Sequence, residues 1–207
     1  LRNLIDLGWS IEQNVTETGL FTTNQVGKAR WIIRQYLALH ALGIQRINFY
    51  RLADNGGQYG FVDATTQTVL PAYTAIQGLV SDASAIGLPP VPYTLDDLPS
   101  IGDYSGSYPL TTVAIVGTRS PCDLSNSILY VAWQRSYPDS GSWLALPSPD
   151  PVPVTVRLPP GMIAQQANDL VTRSPVTIDT TDDGQVIVDI ADNPVALSVI
   201  PAPAIQP

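Results

Sequence analysis

The 207-residue chain reads as α/β followed by all-β. Three observations lead there. Helix-like and strand-like hydrophobic patterns alternate over residues 1–86. Residues 108–207 hold short β-rich runs between turn signals and no helical period of useful length. The span 87–107 separates them with Leu88-Pro89-Pro90-Val91-Pro92, Asp96-Asp97, Gly102 and Gly106, a linker or extended-arm composition.

In the first segment, Leu1, Leu4, Ile5 and Leu7 have helical spacing, and Gly8 reads as the stop. A short strand then ends at Glu17. Thr22 or Thr23 is the expected N-cap of a helix over 24–42, with Gly43 at the C-terminal cap position. Its expected apolar face is Val26, Ala29, Ile33, Tyr36, Leu37 and His40. Residues 44–52 (IQRINFYRL) form a β-rich run, followed by a loop with Gly56-Gly57 and Tyr59-Gly60. Residues 70–85 read as a second long helix with Pro71 in its first turn. Strands alternating with helices predict a parallel sheet covered by helices. Two strands are too few to cover their faces and edges, so this segment reads as the end of a larger α/β fold.

In the second segment the β-rich runs are 111–117, 128–134, 143–146, 152–158, 174–179, 185–190 and 194–200. Pro138-Asp139-Ser140-Gly141, Pro159-Pro160-Gly161 and Asp182-Asp183-Gly184 punctuate them, a spacing that predicts a small antiparallel β-sandwich. The tail Pro201-Ala202-Pro203 reads as frayed.

Composition narrows the chemistry. Hydrophobic residues make up 44% and charged residues 14%, a globular balance. With a net charge of -8 and Lys28 as the single lysine, no basic cluster is available to grip a nucleic-acid backbone. A neutral, hydroxyl-rich ligand suits this charge better than a polyanion. Cys122 and His40 are each the single residue of their type. That removes an internal disulfide, Ser-His-Asp or Cys-His catalysis, and Cys- or His-rich metal sites. Acid–base or nucleophilic chemistry falls to carboxylates, tyrosines, Lys28 or Cys122, with no cofactor or metal expected. No run of eighteen apolar residues is present, so no membrane-spanning helix is expected. There is no signal peptide, and the chain opens Leu1-Arg2-Asn3 within an amphipathic pattern, so the natural N-terminus is expected upstream.

The stretch VTETG ending the first strand, the helix with Gln25, Ala29 and Arg30, then LALHALGIQRINFYRLADN, YGFVD and LPAYTAIQGL resemble the last quarter of a clan A glycoside hydrolase barrel. The likeness holds for families 39, 5 and 30 alike. It implies that residues 1–86 are the last two βα units of a (β/α)8, or TIM, barrel and that residues 108–207 are the β-sandwich many members carry. In those enzymes a Thr-Glu-x-Gly-like end of the seventh strand holds the nucleophile, which falls here on Glu17. The eighth strand ends in aromatics, here Phe49-Tyr50. A Tyr-Gly-Leu-like turn corresponds to Tyr59-Gly60-Phe61, and a Lys-Pro-Ala-Tyr-like helix start to Leu70-Pro71-Ala72-Tyr73.

Barrel active sites gather at the C-terminal ends of the strands. Glu17 occupies such an end, whereas Glu12, the other glutamate, lies at the strand start on the opposite face. Asn48 and Tyr50 alternate with Ile47 and Phe49, so both are expected in the lumen, with Tyr50 stacking on a sugar ring. Arg51 and Asp54 follow in the loop as sugar hydrogen-bonding groups or as a surface ion pair, and Tyr59 lines the cleft or serves the turn. His40, Cys122, Trp133 and Trp143 read as structural residues, and the Asn14-Val15-Thr16 glycosylation match as accidental.

The acid/base of this clan stands in an Asn-Glu pair on the fourth strand, and no such pair occurs in the chain. The expected function is therefore that of the C-terminal part of a retaining glycoside hydrolase. Its expected partners are a carbohydrate substrate and the missing N-terminal part of the barrel. It is expected to be inactive alone and to belong to a secreted protein. The alternative is a non-catalytic carbohydrate-binding or cell-surface module.

Overall fold

The computed structural model describes residues 14–18, 24–41, 46–54, 59–85, 99–120, 123–134, 150–181 and 183–203. The helix expected over Leu1–Leu7, the β-rich run 143–146 and Trp143 lie outside them.

Strand β1 (Asn14–Thr18) pairs in parallel with β2 (Arg46–Phe49), and helix α1 (Gln25–Ala41) connects them. The α1 cap is Asn24 rather than Thr22 or Thr23: its Oδ1 accepts the Gly27 amide at 2.9 Å, the bond an N-cap makes to the third helical residue. Ala29, Ile32, Ile33 and Leu37 are buried, but Val26 is 45% exposed, because burial on α1 begins only at Gly27. The His40 side chain lies outside the described residues.

A small sheet of β3 (Ala53–Asp54), β4 (Val62–Asp63) and β5 (Thr68–Val69) leads into α2 (Pro71–Ala85). Its six buried residues include Ala72, Ala75, Gly78 and Leu79, a 3–4 spacing that forms one face.

The remaining strands form two antiparallel sheets. One has the order β11–β10–β14–β8–β7, built from Pro175–Val176, Met162–Asp169, Val195–Pro201, Asp123–Gln134 and Leu110–Ser120. The other has the order β12–β13–β9–β6, from Ile178–Thr180, Val186–Ile190, Val152–Arg157 and Ser100–Tyr104. Strand β6 falls within the 87–107 span that reads as linker. Its Ile101 and Tyr104 pack onto the core between the sheets despite the flanking Gly and Ser. Strand β10 has no counterpart among the expected runs, since MIAQQAND is half polar and bulges between Ala164 and Gln166. The tail is tied rather than frayed: Pro201 belongs to β14, and the Ala202 amide donates to the Gly161 carbonyl at 2.8 Å.

Strand β8 organises the layers. Every residue from Ser127 to Gln134 is buried, so the strand is covered on both faces. Leu129, Val131 and Trp133 point into a core shared with Ile32, Ile33 and Leu37 of α1 and Ala72, Ala75 and Leu79 of α2. Ile128, Tyr130 and Ala132 point the other way, into a core with Val154, Val156, Val186, Val188 and Ile190 of the second sheet. The described residues thus stack as helices, five-stranded sheet and four-stranded sheet. The helices share their apolar core with the sheet and are not joined to it by a linker alone.

Two polar clusters cross the boundary between helices and sheet. Arg30 donates to Asp192 Oδ2 at 2.8 Å and to Asn193 Oδ1 at 2.5 Å, and Arg34 donates to both the carboxylate and the main-chain carbonyl of Asp192. From the turn after β10, Arg173 reaches Asp82 on α2.

Candidate functional site

The parallel register of β1 and β2 brings their C-terminal ends together. Asn14 stands opposite Arg46, Val15 opposite Ile47 and, after an irregularity, Thr18 opposite Phe49. Glu17 is the fourth residue of β1, adjacent to Thr18 and so beside the end of β2. Its side chain, like that of Asp54 in β3, lies outside the described residues. Glu12 lies outside them entirely.

At the end of β2, side chains alternate between two environments. Phe49 packs on the core of α1 and α2 and meets Phe61 edge-on, with ring centroids 5.8 Å apart and planes at 69°. Asn48 and Tyr50 are exposed instead, as the alternation requires. Tyr50, 39% exposed, meets half-buried Tyr59 edge-on at 5.5 Å and 77°. The Arg51 guanidinium carbon lies 5.3 Å from the centre of the Tyr50 ring, within cation–π range. The Tyr50–Arg51 peptide is cis.

Asn48, Tyr50, Arg51 and Tyr59 are therefore gathered in one region at the strand ends. Tyr50, Tyr59 and Arg51 form an aromatic corner that presents an apolar ring surface beside a cation and a phenol hydroxyl. Such a surface suits a sugar, whose CH faces stack on rings while its hydroxyls take hydrogen bonds. No group of three or more His, Cys, Asp or Glu capable of holding a metal ion occurs among the described residues.

The sequence leaves Lys28 among the groups able to carry acid–base or nucleophilic chemistry but does not place it. It is wholly buried on α1, and its ammonium donates to the Gly60 carbonyl at 2.8 Å, in the same loop that carries Tyr59. A lone lysine inside an otherwise apolar helix face was the available signal. Trp133 is 3% exposed, in the layer between helices and sheet, with the Arg34 guanidinium 6.0 Å from its ring centre, so it offers no outer platform.

No family model matches the sequence, and no curated protein matches it. The fold is similar to that of a glycoside hydrolase. One such solved structure is the family 30 subfamily 8 xylanase Xyn30A from Clostridium acetobutylicum, with a TM-score of 0.51 at 11% identity. The match covers 98% of this chain and 45% of that one, so the chain spans less than half the length of the xylanase. At this identity the likeness is one of fold.

Proposed function

We propose that the chain is the C-terminal part of a retaining glycoside hydrolase. In this reading residues 1–86 are the last two βα units of a (β/α)8 barrel, 87–107 connect, and 108–207 form its β-sandwich. The observation that carries it is the parallel pairing of β1 with β2, which brings the Glu17 backbone beside the strand end bearing Asn48, Tyr50 and Arg51. The fold likeness to a xylanase, running over nearly the whole chain, supports it. The apolar core common to the helices and the five-stranded sheet favours it over a free-standing carbohydrate-binding module.

Chemically, Glu17 attacks the anomeric carbon and forms a covalent glycosyl-enzyme that water then hydrolyses. An acid/base carboxyl about 5–5.5 Å away protonates the leaving oxygen and later activates the water. That group belongs to the rest of the protein, so this chain alone is inactive. Tyr50 stacks on a sugar ring, Tyr59 walls the corner, and Asn48, Arg51 and Asp54 bind hydroxyls. The substrate is a neutral polysaccharide met outside the cell, and xylan is the first to try.

The test is Glu17→Gln in the complete protein, assayed on xylan, mannan and β-glucan. Turnover is expected to vanish with circular dichroism and Tm unchanged. Near-normal turnover would remove the nucleophile assignment.

A further inference from the structure

We propose that Lys28 is a positioning residue for the Tyr50–Tyr59 corner, acting from behind it through the Gly60 carbonyl. The inference rests on the reading of that corner as a sugar-contacting surface.

Residues two apart in an extended segment point to the same side. Tyr59 and Phe61 do not: Tyr59 meets Tyr50 while Phe61 meets Phe49, and Phe49 and Tyr50 lie on opposite sides of the β2 end. The backbone therefore turns between them, with bends at Tyr59 and Phe61 on either side of Gly60. The peptide between Gly60 and Phe61 sets the sense of that turn, and both of its polar ends are held. Its N–H donates to the Leu52 carbonyl at 2.9 Å, and its C=O accepts from Lys28 at 2.8 Å. Losing the Lys28 bond weakens the hold on that peptide, which lets Tyr59 shift relative to Tyr50.

A buried ammonium is an expensive way to tie a loop. Desolvating the charge costs several kcal/mol. What the ammonium adds is direction, a strong donor at the end of a long stem that reaches the Gly60 carbonyl. Lys28 lies among Ala29, Ile32 and Ile33, which pin its helix to the sheet, so the donor is anchored to the rigid layer.

The experiment uses the full-length protein labelled with 3-fluorotyrosine, the Tyr59 resonance being identified by its loss in Tyr59→Phe. In Lys28→Met the Tyr59 signal should move toward its position in Tyr50→Ala, where the ring partner is gone, while the Tm stays within a few degrees of wild type. An unmoved signal in folded Lys28→Met overturns the proposal. If Lys28→Met fails to fold, Lys28→Gln, which keeps a neutral donor, takes its place. Failure of both to fold makes Lys28 a plain structural residue and also overturns it. A separate arm with xylohexaose tests the underlying reading: Tyr59→Ala should raise KM about two- to ten-fold with kcat little changed. An unchanged KM there removes the sugar role of the corner and leaves the fluorine result standing.

Discussion

Arg173 crosses α2 at Gly78 and grips Asp82 with both terminal nitrogens, Nη1 to Oδ2 at 2.8 Å and Nη2 to Oδ1 at 2.9 Å. Asp82 lies one turn beyond Gly78, so the guanidinium passes directly over the glycine. A Cβ on Gly78 would stand 2.4 Å from Nη1. The glycine inside this helix is thus explained by a side chain arriving from the turn after β10. The hydrogen bond to Asp82 holds the arginine pKa above its ordinary value, with the charges of Asp82 and Asp169 adding and burial opposing. The stability carried by that shift is fully present below the ordinary arginine value and is lost only as pH rises through the higher folded value. It therefore persists across neutral pH.

Gly78→Ala should consequently push Arg173 aside and weaken its grip on Asp82. At an open helix position the same change would stabilise by about 1 kcal/mol. The urea midpoint measures the net effect, and a midpoint raised by the full helix-propensity gain would show that the Arg173 grip contributes little to stability.

Asp192 sits between Arg30 and Arg34, with its side chain only 8% exposed and that of Arg34 equally buried. Removing one member of a buried ion cluster strands the remaining charge and costs about 3–5 kcal/mol. Asp192→Ala should lose stability on that scale in guanidinium unfolding and should open the junction of helices and sheet to limited proteolysis. A loss below about 1 kcal/mol would place this cluster with exposed surface pairs instead.

The two faces of the five-stranded sheet should unfold together. Leu129 faces the helices at 0% exposure, and Leu197 faces the second sheet at 2%. Alanine at either position removes a buried side chain and should cost about 2–5 kcal/mol. Because both lie in one sheet sandwiched between the other layers, each substitution should shift the same unfolding transition. Trp fluorescence, to which buried Trp133 contributes, and far-UV circular dichroism should follow it alike. Separated transitions in Leu129→Ala would mean that the helices and sheets are independent units.

Much of the local structure is legible in the residues. The spacing of apolar positions places both described helices within a residue or two of their observed ends, and β-rich runs mark β2, β7, β8, β9, β13 and β14. The uninterrupted apolar run Ile128-Leu129-Tyr130-Val131-Ala132-Trp133 also carries the mark of a strand buried on both faces. Strand β10 escapes because its polar half resembles a loop, and β6 because glycine and serine around it mimic a linker.

The sequence by itself determined most element types, the confinement of acid–base or nucleophilic chemistry to carboxylates, tyrosines, Lys28 or Cys122, and the alternation that sets Asn48 and Tyr50 on the side away from Phe49. Periodicity and composition are local or global averages, and these features follow from them directly. Tertiary structure alone decided which residues meet across the chain. Lys28 finds a carbonyl 32 positions away, and Arg173 finds Asp82 across 91. Tyr50 turns to Tyr59, and the Arg51 guanidinium lies over the Tyr50 ring. Such contacts are selected by how layers stack and by the need to satisfy buried polar groups, and neither constraint leaves a periodic trace along the chain.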